Sequence, residues 1–260
     1  MITSSANQQM KHLSLLMKKA KERKKEKVFV VEGMKMFSEA PQESLVSVYV
    51  AESFLEKSGS LTALEGHHYE IVKDSVFREV SDTQTPQGII AVVRMPEYTI
   101  EDLLSKERTH LLILDSVQDP GNLGTMVRTG EGAGITGIIM NRTTVDLFNP
   151  KTIRSTMGSI YRVPYLIAED LPLLLHKLQE EGVDLYAAHL KGTASYDAFD
   201  YTKPCGFLIG NEGNGLSEEV AACAGSYLRI PMEGRVESLN AAVSAALLMY
   251  ECRRQRNCQN

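Results

Sequence analysis

Past residue 110 the chain alternates short apolar runs with stretches of helical period, and this limits the available folds more than any other feature. Strand-length runs fall at 111–114, 137–140, 163–167, 184–189, 206–209 and 227–230, and helical patterns at about 122–132, 149–157, 171–182, 216–223 and 239–255. Apolar strands separated by helices predict an α/β fold with a parallel sheet covered on both faces. Ligands of such sheets bind outside the carboxyl ends of the strands, so the chemistry is expected in the loops that follow each strand.

Residues 1–95 follow a shorter rhythm. Strands at 28–31, 46–51, 69–72 and 88–93, with short helices between them, predict a small α/β domain. Met95-Pro96-Glu97-Tyr98 breaks the pattern, which puts a linker at 96–107 and a second domain at 108–260. A chain of 260 residues can bury two cores. The halves are too different to be duplicates.

The net charge of −5 argues against a protein that coats nucleic acid indiscriminately, but the average hides an asymmetry. Between Lys11 and Lys27 there are eight Lys/Arg against Glu22 and Glu26. Leu13, Leu16, Met17 and Ala20 recur at helical spacing there, with Ser4 or Ser5 as the expected cap, which leaves the lysines outside. A solvated helix end and a grip on phosphates fit this pattern equally.

Other classes drop out. The longest apolar run, 241–250, is interrupted by Ser244 and is far shorter than the roughly 20 residues of a membrane span. The amino terminus lacks the apolar core of a secretory leader, which predicts a cytoplasmic protein. Cys205, Cys223, Cys252 and Cys258 form no C-x-x-C pair and have no histidine at zinc spacing, so reduced thiols and no metal are expected. No G-x-S-x-G elbow is present, and of six histidines only His189, at a strand end, adjoins a polar loop, which argues against hydrolysis.

Three polar loops follow predicted strands. In Gly210-Asn211-Glu212-Gly213-Asn214-Gly215 the glycines let the backbone approach a ligand, in an order that fits neither a phosphate-binding loop nor the dinucleotide fingerprint. Asp119-Pro120-Gly121-Asn122 opens a helix carrying Arg128; Asn122 reads as an N-cap and Arg128 as a surface ion-pair member, or both as functional groups. Glu212 is either a helix-entry anion or a carboxylate that holds a hydroxyl or orients an arginine. Ser238 is the expected cap of the last helix, while Asn240, a poor helix former, needs a partner for its amide. Asn149-Pro150-Lys151-Thr152-Ile153-Arg154 opens another helix with cations and hydroxyls suited to phosphate or ribose, although Pro150 also fits a plain helix start.

Together, Asp119 to Gly124 with Arg128, Gly210 to Leu216, and Arg229-Ile230-Pro231-Met232 through Ser238-Leu239-Asn240 resemble the three motifs of the SpoU (TrmH-type) RNA ribose methyltransferases of the SPOUT superfamily. They occur in order and at matching spacing across 108–256. Asn149 to Pro164 resembles that family's intermediate segment, and residues 1–95 more loosely resemble the substrate-binding domain many members carry.

The resemblance implies a carboxyl-terminal trefoil knot and a homodimer with active sites at the subunit interface. It implies S-adenosylmethionine held by Leu190, Gly210, Asn211, Gly215, Ile230, Met232, Ser238 and Leu239. Its catalytic group maps onto Arg128, Asn122, Glu212, Ser238 and Asn240, and RNA contacts are expected from Lys18, Lys19, Lys21, Arg23, Lys24, Lys25 and Arg154. An arginine is a poor base, so Arg128 is expected to act by electrostatics, or as a base only when desolvated beside an RNA phosphate. Ala241-Ala242 depart from the larger or hydroxylated residues the family more often has there. The expected activity is 2'-O-methylation of a ribose in RNA, ribosomal ahead of transfer RNA; the alternative is a non-catalytic RNA-binding or ribosome-assembly protein.

Overall fold

The computed structural model describes residues 1–56, 60–104 and 108–258; residues 105–107 of the expected linker and the last two residues of the expected second domain lie outside the described residues. The chain divides into two units, residues 1–97 with 146–161, and 98–145 with the remainder.

The first unit begins with α1 (Gln8–Lys18), α2 (Ala20–Glu26), β1 (Val28–Glu32), α3 (Met34–Ser38), β2 (Leu45–Ala51), α4 (Ser60–Leu64), β3 (Glu70–Val72), α5 (Asp74–Val80) and β4 (Ile89–Arg94). Its sheet runs β1-β4-β2-β3, with only the β2–β3 pair parallel. Asn7, not Ser4 or Ser5, caps α1, its Oδ1 accepting from the Gln9 amide at 2.8 Å. Leu13, Leu16 and Met17 are buried as their spacing predicts.

Arg23 departs from its expected role. It is 3% exposed and donates to the Leu16 and Met17 carbonyls at 2.6 and 3.1 Å, satisfying acceptors the end of α1 leaves open, while its other nitrogen pairs with Asp146. A guanidinium buried in this way is committed to the fold and offers RNA no exposed surface, although its Nε has no partner among the described residues. Lys18, Lys19, Lys21, Lys24 and Lys25 remain exposed. We expect Arg23→Ala to lower stability by about 3 kcal/mol, because it leaves a charge and two carbonyls without partners. A urea melt unchanged from wild type would contradict this.

Residues 146–161 join the first unit because their apolar side chains pack there. The Phe148 ring lies 4.9 Å from Phe29, and Tyr161 donates to the Met36 carbonyl at 2.8 Å. Asn149 caps the short helix Pro150–Thr156, and Arg154 pairs with Asp82 at 2.8 Å.

The second unit contains α6 (Ile100–Leu103), β5 (His110–Leu114), α7 (Pro120–Ala133) and β6 (Gly137–Asn141). Beyond Pro150–Thr156, which is α8, come β7 (Tyr165–Ala168), α9 (Leu171–Glu180), β8 (Asp184–Ala188), β9 (Ala194–Ser195), β10 (Cys205–Ile209), α10 (Glu218–Ala222), β11 (Ser226–Arg229) and α11 (Ala241–Asn257). Seven strands in the order β7-β6-β5-β10-β8-β11-β9 pair in parallel throughout, the expected α/β sheet with one short strand, β9, that periodicity did not reveal.

Strand order selects the site. The chain leaves β5 toward β6 on one side and leaves β10 toward β11 on the other, yet β5 and β10 are neighbours. Loops leaving adjacent strands in opposite directions open a crevice at their carboxyl ends. The loops concerned are 115–119, which leads into the first motif at the start of α7, and 210–217, which carries the second.

Candidate active site

The 210–217 loop is a closed turn. Asn211 and Gly215 exchange backbone hydrogen bonds at 2.9 Å, and the Asn211 Oδ1 accepts from the Gly213 and Asn214 amides. Asn211 Nδ2 donates to the Ser116 carbonyl at 2.9 Å, tying this loop to the one after β5. At Gly210 a Cβ would stand 2.1 Å from the Gly215 carbonyl carbon, so no other residue fits, and Gly215 itself has φ +71°.

Glu212 reaches across to the 115–122 segment. Its carboxylate accepts from the Gln118 amide at 3.0 Å, the Asp119 amide at 3.1 Å and Asn122 Nδ2 at 2.9 Å. Asn122 Oδ1 in turn accepts from Asn240 Nδ2 at 2.9 Å. Asn122, Glu212 and Asn240, up to 118 residues apart in the chain, therefore form one hydrogen-bonded line.

Two expected caps are corrected. Asp119 caps α7, accepting from the Asn122 amide at 2.7 Å, which frees the Asn122 side chain for Glu212. Asn240 caps α11 through the Ala242 and Val243 amides, whereas Ser238, two residues before that cap, is exposed. Arg128 lies on α7 about 9 Å along the axis from Asn122 and about 120° around it. It is exposed and has no hydrogen bond or ion pair with any described residue.

A cavity of about 610 Å³ lies beside this line, a volume suited to a cofactor-sized ligand. Leu190, Gly210, Asn211, Gly215, Ile230, Met232, Ser238 and Leu239 all line it, as does Glu212. Sequence reasoning missed Val236 and Ser244 there, and noted His189 only for its place at a strand end. The His189 ring stacks on Tyr227 at 5.0 Å and its Nδ1 accepts from the Lys191 amide at 3.0 Å.

The sequence model of the SpoU rRNA methylase family matches residues 109–250, and that of the MRM3-like substrate-binding domain matches 7–91. The chain belongs to the SpoU rRNA methylase family. A 23S rRNA (guanosine(2553)-2'-O)-methyltransferase, RlmP, of Bacillus subtilis is 36% identical over 97% of this chain and 98% of its own length. The AdoMet-bound rRNA methyltransferase from Sinorhizobium meliloti superposes with a TM-score of 0.85 at 32% identity, over 97% of both chains. The TrmH/SpoU tRNA modifying enzyme of A. aeolicus, 25% identical, covers only 61% of this chain and 81% of its own, with a TM-score of 0.53. As a member of the SpoU family the protein is an S-adenosylmethionine-dependent RNA 2'-O-methyltransferase.

Electrostatics restrict what Glu212 can do. Burial raises its pKa, but the bonds from Asn122 and the Gln118 and Asp119 amides outweigh that and hold the carboxyl below its usual range. A depressed folded-state pKa favours the ionised form, so its contribution to stability is present above the unfolded value of about 4.3 and is lost as pH falls through the folded one. We expect the urea-stability gap between wild type and Glu212→Gln to stay constant from about pH 8 to 5.5 and to shrink only below about pH 4.3. A gap that closes near neutrality would show that Glu212 titrates there instead.

Proposed function

We propose that this enzyme methylates a ribose 2'-hydroxyl of 23S rRNA, with Arg128 as the group that meets the developing charge. The observation that carries the residue assignment is the Glu212–Asn122–Asn240 line, which runs from the rim of the cavity to the helix bearing an unpaired arginine. The ribosomal substrate is supported by the substrate-binding domain match over 7–91 and the near full-length likeness to RlmP. The exposed lysines of α1 and α2 suit phosphate contacts.

S-adenosylmethionine supplies an activated methyl group when bound, and the Gly210–Leu216 turn, Ile230, Met232 and Leu239 would hold it. The acceptor hydroxyl must lose its proton, which passes to solvent water, as the new C–O bond forms, so negative charge builds on the ribose oxygen. Arg128 stabilises that charge while remaining protonated, since a guanidinium does not titrate near neutrality. Glu212 is not the base: its oxygens are occupied by three donors and its proton affinity is depressed. It positions Asn122, and Asn240 fixes the opposite end of that amide.

The trefoil knot belongs to the same reading, supported by the return of α11 after β11 to pack on α7 and β10. So does a homodimer, supported by Val243 and Tyr250, each 47% exposed on α11. Sedimentation at twice the 28.8 kDa chain mass is the expected result, and a monomer at micromolar concentration would remove the dimer. No helix among the described residues is long and apolar enough to cross a membrane, consistent with the proposed cytoplasmic location.

The test is transfer of labelled methyl from S-adenosylmethionine to RNA from cells lacking this protein, followed by nucleoside digestion and mapping. Label in one 2'-O-methylated nucleoside of 23S rRNA is expected. Label in tRNA alone would replace the substrate, and no label on any RNA would remove the catalytic assignment.

A further inference from the structure

One buried carboxylate in the second unit takes no part in the roles assigned above. Asp115, the residue after β5, is 3% exposed and saturated with donors. Its Oδ2 accepts from the Ser217 amide at 2.8 Å and the Ser217 hydroxyl at 2.7 Å; its Oδ1 accepts from Asn141 Nδ2 at 2.7 Å and the Ser116 hydroxyl at 3.1 Å. These partners come from the first residues after β5, the last residue of β6 and the far end of the loop that follows β10.

We propose that Asp115 is a positioning residue for methyl transfer, clamping the glycine turn to the loop after β5 so that Glu212 meets Asn122. The inference rests on the catalytic reading of that line. Ser217 marks the far end of the glycine turn and caps α10, so the Asp115–Ser217 bonds hold one end of the turn. Asn211, at its near end, is held by the Ser116 carbonyl, and Ser116 is kept at φ +60° with its amide donating to Asn141 Oδ1 at 3.0 Å. Glu212 is adjacent to Asn211 and receives the Gln118 and Asp119 amides, two and three residues past Ser116. Both loops that set the Glu212–Asn122 distance are thus anchored on one carboxylate. Four donors converge on it, two on each oxygen, so an amide at this position would turn its own N–H groups toward two of them.

The experiment is a double-mutant cycle between Asp115→Asn and Glu212→Gln, read as kcat and KM for 23S rRNA together with the Kd for S-adenosylmethionine, with thermal melts alongside. We expect D115N to lower kcat at least 30-fold while KM moves less than about 3-fold and Kd, because the Asn211–Gly215 bonds that shape the cavity wall stay in place, also less than about 3-fold, and the double variant to be no more than about 3-fold slower than E212Q alone. A purely structural Asp115 would give losses that multiply, and that result, or a D115N enzyme with kcat within about 3-fold of wild type, overturns the inference. If D115N does not fold, Ser217→Ala decides: it keeps the Ser217 amide donor, and a kcat loss of about 5-fold that vanishes in the E212Q background is expected, while a loss that persists there overturns the clamp. An E212Q enzyme with normal kcat instead overturns the reading of the Glu212 line itself, and the inference with it.

Discussion

Arg128→Ala should lower kcat for methyl transfer by 10²- to 10³-fold while leaving the affinity for S-adenosylmethionine within about 2-fold of wild type. Loss of one preorganised group aimed at a developing oxyanion costs about 3–4 kcal/mol. The arginine is exposed, pairs with no described residue and does not line the cavity, so its removal disturbs neither the fold nor the proposed cofactor site. Arg128→Lys separates charge from shape: an ammonium keeps the charge but not the planar fork, and a further test is whether about a tenfold loss remains. Near-normal turnover of the lysine variant with unchanged RNA binding would show that Arg128 is not the group that meets the developing charge.

Gly210→Ala should weaken S-adenosylmethionine binding about 100-fold, or about 2.7 kcal/mol. The added carbon would stand 2.1 Å from both the Gly215 carbonyl carbon and the Leu216 nitrogen, and 2.4 Å from the Gly215 oxygen. All three are backbone atoms, so no side chain can move aside and the turn must open. Its two backbone bonds between Asn211 and Gly215 shape the cavity wall, so the damage falls on the ligand site. Calorimetric titration checks this, and an unchanged Kd would mean that the turn does not shape the cofactor site.

Much of the site was legible in the chain because its loops carry residues whose local demands are distinctive. Glycines at 210 and 215 mark a turn that only small residues permit, and an asparagine at 240 ahead of an alanine-rich helix announces an amide in need of a partner. The caps were harder. Ser238 and Asn240 are both good cap residues two positions apart, and only the backbone path decides which one reaches the Ala242 and Val243 amides. Arg23 and the lysines beside it are indistinguishable by charge, yet Arg23 faces the open carbonyls of α1 and Asp146, more than a hundred residues later.

Asp115 shows where sequence reasoning stops. Its partners Asn141 and Ser217 lie 26 and 102 residues away, and nothing local links them. They meet because the parallel register sets Leu114 against Ile209 on one side and against Met140 on the other, bringing Asn141 at the end of β6 and the loop that follows β10 to the same edge as Asp115.

The alternation of strands and helices, the loops able to bend around a ligand and the family they belong to were all present in the order of residues, since periodicity and backbone permissiveness are local properties. Strand order was not. That β10 inserts beside β5, so that Glu212 finds Asn122, that Arg23 is buried in the fold and that Arg128 pairs with no described residue are outcomes of non-local hydrogen-bond register and burial, which exist only once distant segments have packed.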